Sequence, residues 1–480
     1  MDKTSFRLGI LGIFIVSMFL RFWQLNKFNT LVFDEVYFAK FGNNYLTHTP
    51  FFNAHPPLSQ YLIGLGIWLS KYIPIAKDNV NSLTGSLLSP WNYRWVNALT
   101  GSLIPVIVTL LTYQLSYRHR FALLAGVFTA YDGLFLVESR YALSNVYIVI
   151  FGLLGQWLLL LALEKQKRRF WLILSGICFG ASIATKWNGL FFLSAVYALW
   201  IASWIIKWLQ SLDITSQRST QKITTPLQNL TQLNIWQMCS YLGIIPAVVY
   251  SLIWVPHLQL DKRYGFIEVH QQILQFHLKL GGNSPSIHPY CAAWYKWPLL
   301  TRPMAYYYET TQSIQEVLPV FGPPLPSNAA KMVYDVHAMG NPFLWWFGLA
   351  AMIFLMGMLA NQIIMPSITR KRLFISRNLT FDTWIGLFLV INYAANLLPW
   401  VKVTRCVFIY HYMCAVIFTF IAIAWVVDQC LLSYQRLIRA VGVTITFIII
   451  AAFVFWMPIY LGLPLSPHDY RMRMWFNSWI

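Results

Sequence analysis

Charge is what this chain has least of. Only 11 % of its 480 residues are Asp, Glu, Lys or Arg, against about 25 % in soluble chains, while 58 % are hydrophobic. A soluble monomer has nowhere to bury that much apolar surface, so the shortage excludes a soluble fold and leaves helices packed in a bilayer. It also overrules the roughly three domains that length alone would suggest. Acids are scarcer still, 16 against 35 Lys and Arg, a formal net charge of +19. Six cysteines, at 178, 239, 291, 406, 414 and 430, have no paired spacing, which argues against a disulfide scaffold. The apolar content excludes disorder. Zinc-type ligand spacing, a phosphate loop and a dinucleotide glycine pattern are all missing, and Gly281-Gly282 runs on into Asn and Ser. That argues against a nucleotide-hydrolysing transporter.

Long apolar runs are what the chain does have. They begin near residues 7, 95, 121, 141, 170, 188, 236, 342, 382, 407 and 440, which predicts an all-α polytopic membrane protein of about eleven helices. The first run, Leu8 to Leu20, lacks a following small-residue cleavage site and reads as a retained anchor. Short connections carry Arg118 and Arg120, Lys165 to Arg169, Arg370 to Arg377, and Arg436 with Arg439. The positive-inside rule puts these and the N-terminus in the cytoplasm. An even number of crossings must then precede Arg118, yet three apolar segments do: 8 to 25, 56 to 76 and 95 to 116. The middle one, broken by Pro56 and Pro57, is assigned to a juxtamembrane helix at the outer interface. Within a single membrane domain, 1–480, residues 26–94 become a first external loop and 257–340 a second. Residues 208–235 become a polar cytoplasmic connector and 461–480 an external C-terminal tail.

Five clusters on the external side could carry chemistry. Asp34 and Glu35 stand together in FDEVYFAKF (33–41); desolvation at an interface raises a carboxylate's basicity, although such a pair can equally be a solvated helix cap. His55-Pro56-Pro57 follows in the same loop, the His a ligand, a proton carrier or a turn residue. YDGLFLVESRYALSN (131–145) holds Arg140, either a snorkelling anchor or a phosphate contact. Lys186 and Trp187 form a third hairpin tip. IHPYCAAWYKWPLLTRP (287–303) contributes His288, Tyr290, Trp294 and Arg302, aromatics and cations that can hold a sugar and a phosphate or simply form an aromatic belt. LPWVKVTRCVFIYHY (398–412) brings Lys402, Arg405 and His411 into one short turn.

With these segments laid out, the chain resembles the protein O-mannosyltransferases, multi-spanning glycosyltransferases of the GT-C fold. The matching pieces are FDEVYFAKF, HPPL at 55–58, DGLFLVESRYAL at 132–143, ATKWNGL at 184–190, HPY and WYKWPL within 288–299, LPW with YHY at 398–412, and GLPLSPHDYRMRMWFNSWI at 462–480. They run in order along the whole chain. The resemblance implies a polyprenyl-phosphate-mannose donor and transfer to Ser or Thr hydroxyls of acceptor proteins outside the membrane. It also implies a bacterial-type member in the plasma membrane, since the large extra domain of eukaryotic members is absent. Asp34 is implied as general base and Glu35 as its helper or an acceptor contact. Arg140 is implied at the donor phosphate. Two departures stand out: Ser144-Asn145 replaces the family's usual Leu-Asp, and Cys291-Ala292-Ala293 precedes Trp294 where Ser-Lys is commoner.

The chemistry agrees. A hydroxyl attacking C1 needs a carboxylate to take its proton, and a departing lipid monophosphate needs cations, for which Arg140, Lys402 and Arg405 are candidates. His55, Lys186, Trp187, His288, Tyr290, Trp294, Arg302 and His411 are substrate-binding candidates. One base attacking opposite the phosphate predicts inversion, and the step calls for no metal or other cofactor. Two rivals remain: a carrier-dependent transferase acting on a lipid or wall polymer, and a flippase for a lipid-linked solute, which would show internal symmetry and midplane charges. The net charge divides accordingly. Seventeen Lys and Arg and five acids fall on the cytoplasmic side, leaving +7 outside, which suits a lipid-borne phosphosugar rather than nucleic acid.

Overall fold

The computed structural model describes residues 2–73, 79–164, 166–211, 225–284, 286–314, 331–369, 375 and 379–480. Lys165, the basic residues 370–372 with Arg377, and 212–224 of the expected connector lie outside them. In chain order the helices are α1 (Lys3–Phe22), α2 (Glu35–Leu46), α3 (Leu58–Ser70), α4 (Pro90–Ser116), α5 (His119–Ala130), α6 (Gly133–Arg140), α7 (Asn145–Glu164), α8 (Arg168–Ile183) and α9 (Leu190–Ser211). They continue with α10 (Ile235–Leu260), α11 (Phe266–Lys279), α12 (Pro342–Ile368), α13 (Phe381–Leu397), α14 (Met413–Leu432), α15 (Arg436–Leu461) and α16 (Pro467–Arg473). Strands β1 (Met304–Thr311) and β2 (Met332–Ala338) lie between α11 and α12.

Helices close their own backbone hydrogen bonds, which lipid cannot do for them. Among the described residues nine helices are long and apolar enough to cross a membrane, or ten if α5 and α6, bent by 59°, make one span. The eleventh expected span is α8, with 16 residues, about 24 Å of helix at 1.5 Å per residue. The segment after Pro56-Pro57 forms α3, 13 residues long. The helices differ sharply in surroundings: 83 % of the apolar window of α7 is buried inside the protein, against 22 % for α15. α7 therefore lies at the centre, packed on α4 and α8, and α15 lies at the rim.

The α5/α6 break has a local cause. Asp132 caps α6 through the Phe135 amide (2.9 Å) and accepts from Trp345 Nε1 (2.8 Å) and the Asn341 amide (3.1 Å), stapling the break to the start of α12. At the far end of α4, Arg118 pairs with Asp382 and Arg120 with Asp428 (2.8 Å). The opposite end carries the irregular segments and two features that the sequence pattern hid. β1 and β2 pair antiparallel into a two-stranded sheet, so the expected all-α architecture holds only for the spanning part. Cys291 and Cys406 form a disulfide with Cα atoms 5.2 Å apart across 115 residues, a separation at which no spacing rule operates.

Candidate active site

The Asp34-Glu35 motif is split by the turn that precedes it. Phe33 adopts φ +52°, a left-handed conformation that costs of order 1 kcal/mol or more in a bulky residue and persists only where neighbours hold it. Its ring stacks on Tyr306 at 4.2 Å and 15°. Tyr306 sits where the register of β1 shifts between Ala305 and Tyr307, and such a bulge re-aims a side chain. Its hydroxyl donates to Glu138.

Beyond this turn the two carboxylates part. Glu35 turns into the protein and accepts four hydrogen bonds: from Arg94 Nε (2.9 Å) and Nη2 (2.7 Å), the Val32 amide (2.8 Å) and the Ala142 amide (2.8 Å). Both side chains of the Glu35–Arg94 pair are 0 % exposed. Arg94 spends its other donors on the carbonyls of Leu25, Phe28 and Thr30. With its acceptor positions filled, Glu35 is a strut and, unlike the expected catalytic helper, does not line the cavity that holds Asp34. Asp34 precedes α2 yet makes no side-chain capping bond, so the helix-cap reading of this residue does not hold.

Asp34 lines a cavity of ≈ 470 Å³ together with Phe33, Phe38, Phe41, Phe52, His55, Lys186, His277, His288, Arg405, Phe408, Tyr410 and His411. It is the one carboxylate among the described lining residues, and Lys186 and Arg405 bring two basic side chains. Burial pushes the Asp34 carboxyl up to about 6, with Lys186 opposing. Burial pulls the Lys186 ammonium down to about 8, against the pull of Asp34 and Glu138. The same burial, with Lys186 adding to it, holds His55 well below the usual imidazole range. His55 and His277 lie 5.2 Å apart, ring to ring. The phenyl faces can lie against sugar C–H surfaces. Among the described residues no three His, Cys, Asp or Glu side chains gather to hold a metal ion.

Lys186 is placed by a relay. Its Nζ donates to Asn145 Oδ1 (3.0 Å), and Asn145 Nδ2 donates to Glu138 (3.0 Å), which also accepts from Tyr306. An amide can accept from a lysine and donate to a carboxylate at once, which an ionised Asp cannot. An Asp here would set two carboxylates face to face, so the departure from the family's usual Asp has a physical counterpart in Glu138.

Six expected site residues meet in the cavity: Asp34, His55, Lys186, His288, Arg405 and His411. The others do not line it. Arg140 is buried and donates to the carbonyls of Leu20 (3.0 Å), Arg21 (3.2 Å), Trp23 (2.7 Å) and Gln24 (3.4 Å), tying α6 to the end of α1. Its two terminal nitrogens are engaged by backbone, away from the cavity to which the expected phosphate contact would belong. Lys402 is exposed on a turn outside the cavity. Trp187 bonds Tyr250 (3.0 Å) and stacks on His270. Trp294 packs against the core. Arg302 lies over the Tyr290 ring (5.1 Å) and donates to Pro289 and Ile480 carbonyls, fastening the C-terminal tail. The sequence reading assigned no role to Arg94, Tyr306 or His277. Asn145 it noted only as a departure.

Comparison with known proteins gives the family and the fold. A family profile described as dolichyl-phosphate-mannose-protein mannosyltransferase matches residues 12–260, and one described as the C-terminal four-transmembrane region of protein-O-mannosyltransferase matches 262–479. The chain is 21 % identical over 481 residues to a polyprenol-phosphate-mannose–protein mannosyltransferase of Corynebacterium glutamicum, covering 89 % of this chain and 81 % of the relative. It is 22 % identical over 524 residues to one of Mycolicibacterium smegmatis, covering 97 % and 90 %. The structure of the S. cerevisiae protein O-mannosyltransferase Pmt1-Pmt2 complex bound to the sugar donor superposes with a TM-score of 0.77 at 14 % identity, covering 100 % of this chain and 93 % of that one. The likeness shows a common GT-C fold.

Proposed function

Because the chain belongs to the protein O-mannosyltransferase family and is a glycosyltransferase, we propose that it moves mannose from a polyprenyl-phosphate carrier to Ser or Thr hydroxyls of proteins at the external face of the plasma membrane. The observation that carries this reading is the uncapped carboxylate of Asp34 in one cavity with Lys186 and Arg405. A hydroxyl is a weak nucleophile. Asp34 takes its proton as the oxygen bonds to C1, on the face opposite the phosphate. The C1–O bond to phosphate breaks with its electron pair on the phosphate, and the sugar inverts. Lys186 and Arg405 neutralise the charge that gathers on the leaving group, so the step runs without a metal or other cofactor. The neighbouring histidines, held neutral, offer hydrogen bonds to sugar hydroxyls.

Two features support the external face. Dense cationic turns lie at the other end of the bundle, as cytoplasmic loops do, and a disulfide adjoins Arg405, which suits an oxidising compartment. The test gives purified enzyme polyprenyl-phosphate-[3H]mannose and a Ser/Thr-rich peptide. Label on the peptide as α-mannose, from a β-linked donor, is the expected result. Label on lipid with the peptide bare would instead make the enzyme a wall-polymer or glycolipid transferase.

A further inference from the structure

Arg405 stands between the short turns Leu398–Lys402 and Ile409–Tyr412, on a segment whose one regular feature is an isolated antiparallel bridge between Arg405 and Gly282. Its guanidinium donates to the carbonyl of Cys406 (3.0 Å) and has no carboxylate partner among the described residues. With no carboxylate to hold it, its position in the cavity follows the backbone of this segment. That backbone is tied to one other segment, the loop after α11, at three points. Cys406 N donates to the Gly281 carbonyl (3.0 Å), Ala292 N donates to the Val407 carbonyl (2.8 Å), and the Cys291–Cys406 disulfide lies between them. The same loop supplies His288 to the cavity wall. An irregular loop moves unless it is fastened, and two isolated backbone hydrogen bonds fasten it weakly. Both cysteines are buried, 4 % and 8 % exposed, so the bond is shielded once made.

We propose that the Cys291–Cys406 disulfide is a positioning element for donor binding, clamping the His288 loop to the Arg405 turn so that Arg405 meets the phosphate. This rests on the phosphate role given to Arg405 above. The dithiol enzyme is then a weak donor binder. Maturation requires that both thiols give up two electrons and two protons to an external protein disulfide, which departs as a dithiol after two exchanges.

The experiment compares oxidised wild type, wild type reduced with a phosphine, and Cys291→Ser/Cys406→Ser. It measures donor KM, kcat and the Kd of undecaprenyl phosphate, and mass tagging verifies the thiol state. Reduction and the double variant are both expected to raise donor KM and undecaprenyl phosphate Kd by about tenfold or more and to lower kcat, because Arg405 also meets the charge on the leaving group, with acceptor KM within about threefold. The double variant should not respond to reductant, and Cys239→Ser, an exposed free cysteine, should respond as wild type does. Fully reduced wild type with an unchanged donor KM overturns the proposal, as does a loss confined to kcat or thermal stability. If the double variant does not fold, the reduced wild type decides alone. Failure of the transferase reading has a different signature: oxidised wild type that binds no undecaprenyl phosphate, which removes the role of Arg405 and the clamp with it.

Discussion

Asp34 and Glu35 are adjacent in sequence and belong to two regions built on opposite terms. Behind the motif lies a strut region, in which Glu35, Arg94 and Arg140 spend their polar atoms on one another and on backbone carbonyls. In front lies the cavity, where Asp34, Lys186 and Arg405 share one space with no ion pair between them among the described contacts. The strut holds charge by satisfying it. The cavity keeps charge available for a substrate. Counting charged residues at one face of a membrane protein cannot tell the two apart; counting their remaining hydrogen-bond capacity can.

Substitutions can break this contrast. Asp34→Asn is expected to lower transfer by about 10²- to 10⁴-fold, the usual worth of a general base, with unfolding temperature and expression unchanged. Wild-type-like transfer would remove the base. Glu35→Ala should do the reverse. It strands a buried Arg94, at a cost of roughly 3–5 kcal/mol, and reads out as lost folded protein in size exclusion. Arg140→Ala leaves the buried carbonyls of Leu20 and Arg21 without this donor, worth about 1–3 kcal/mol. The expected result is a lower unfolding temperature with donor KM within about twofold, and a large rise in KM would return Arg140 to the cavity. The smallest effect concerns pH. Transfer should rise through about 6 as buried Asp34 ionises and fall above about 8 as Lys186 loses its proton. Asn145→Asp, which sets a carboxylate beside Lys186, should shift the alkaline limb upward and lower kcat/KM by about tenfold. An unmoved limb would separate Lys186 from that titration.

Much of this was readable before any coordinates. Hydropathy located each helix that is long and apolar enough to span among the described residues, because lipid imposes one length and one backbone solution. The motifs pointed to one end of the bundle, where six of their residues line a single cavity. What stayed hidden was partnership. Arg94 lies in WNYRWVN, a string that reads as an interfacial aromatic belt, and nothing local reveals that its partner is Glu35, 59 residues earlier. Arg140 fits a phosphate contact by type, and only the path of α1 shows its terminal nitrogens turned to the carbonyls of residues 20–24. The sheet and the disulfide arise from long-range pairing inside a loop, where neither period nor spacing leaves a mark.

The central helix carries a last consequence, for how the protein is made. α7 and α15 have nearly the same mean hydropathy, 2.3 and 2.4, although neighbours enclose one and lipid bathes most of the other. In its finished surroundings α7 needs close fit, which Gly152 and Gly155 supply against Phe192 and Phe179, and a more polar helix could be accommodated there. Its greasiness belongs to an earlier moment, when the segment leaves the ribosome and must partition into the bilayer before α4, α8 and α9 close around it. Polar substitutions along α7 would then act first on membrane insertion, and the yield of inserted chains would fall before the chemistry of those that assemble.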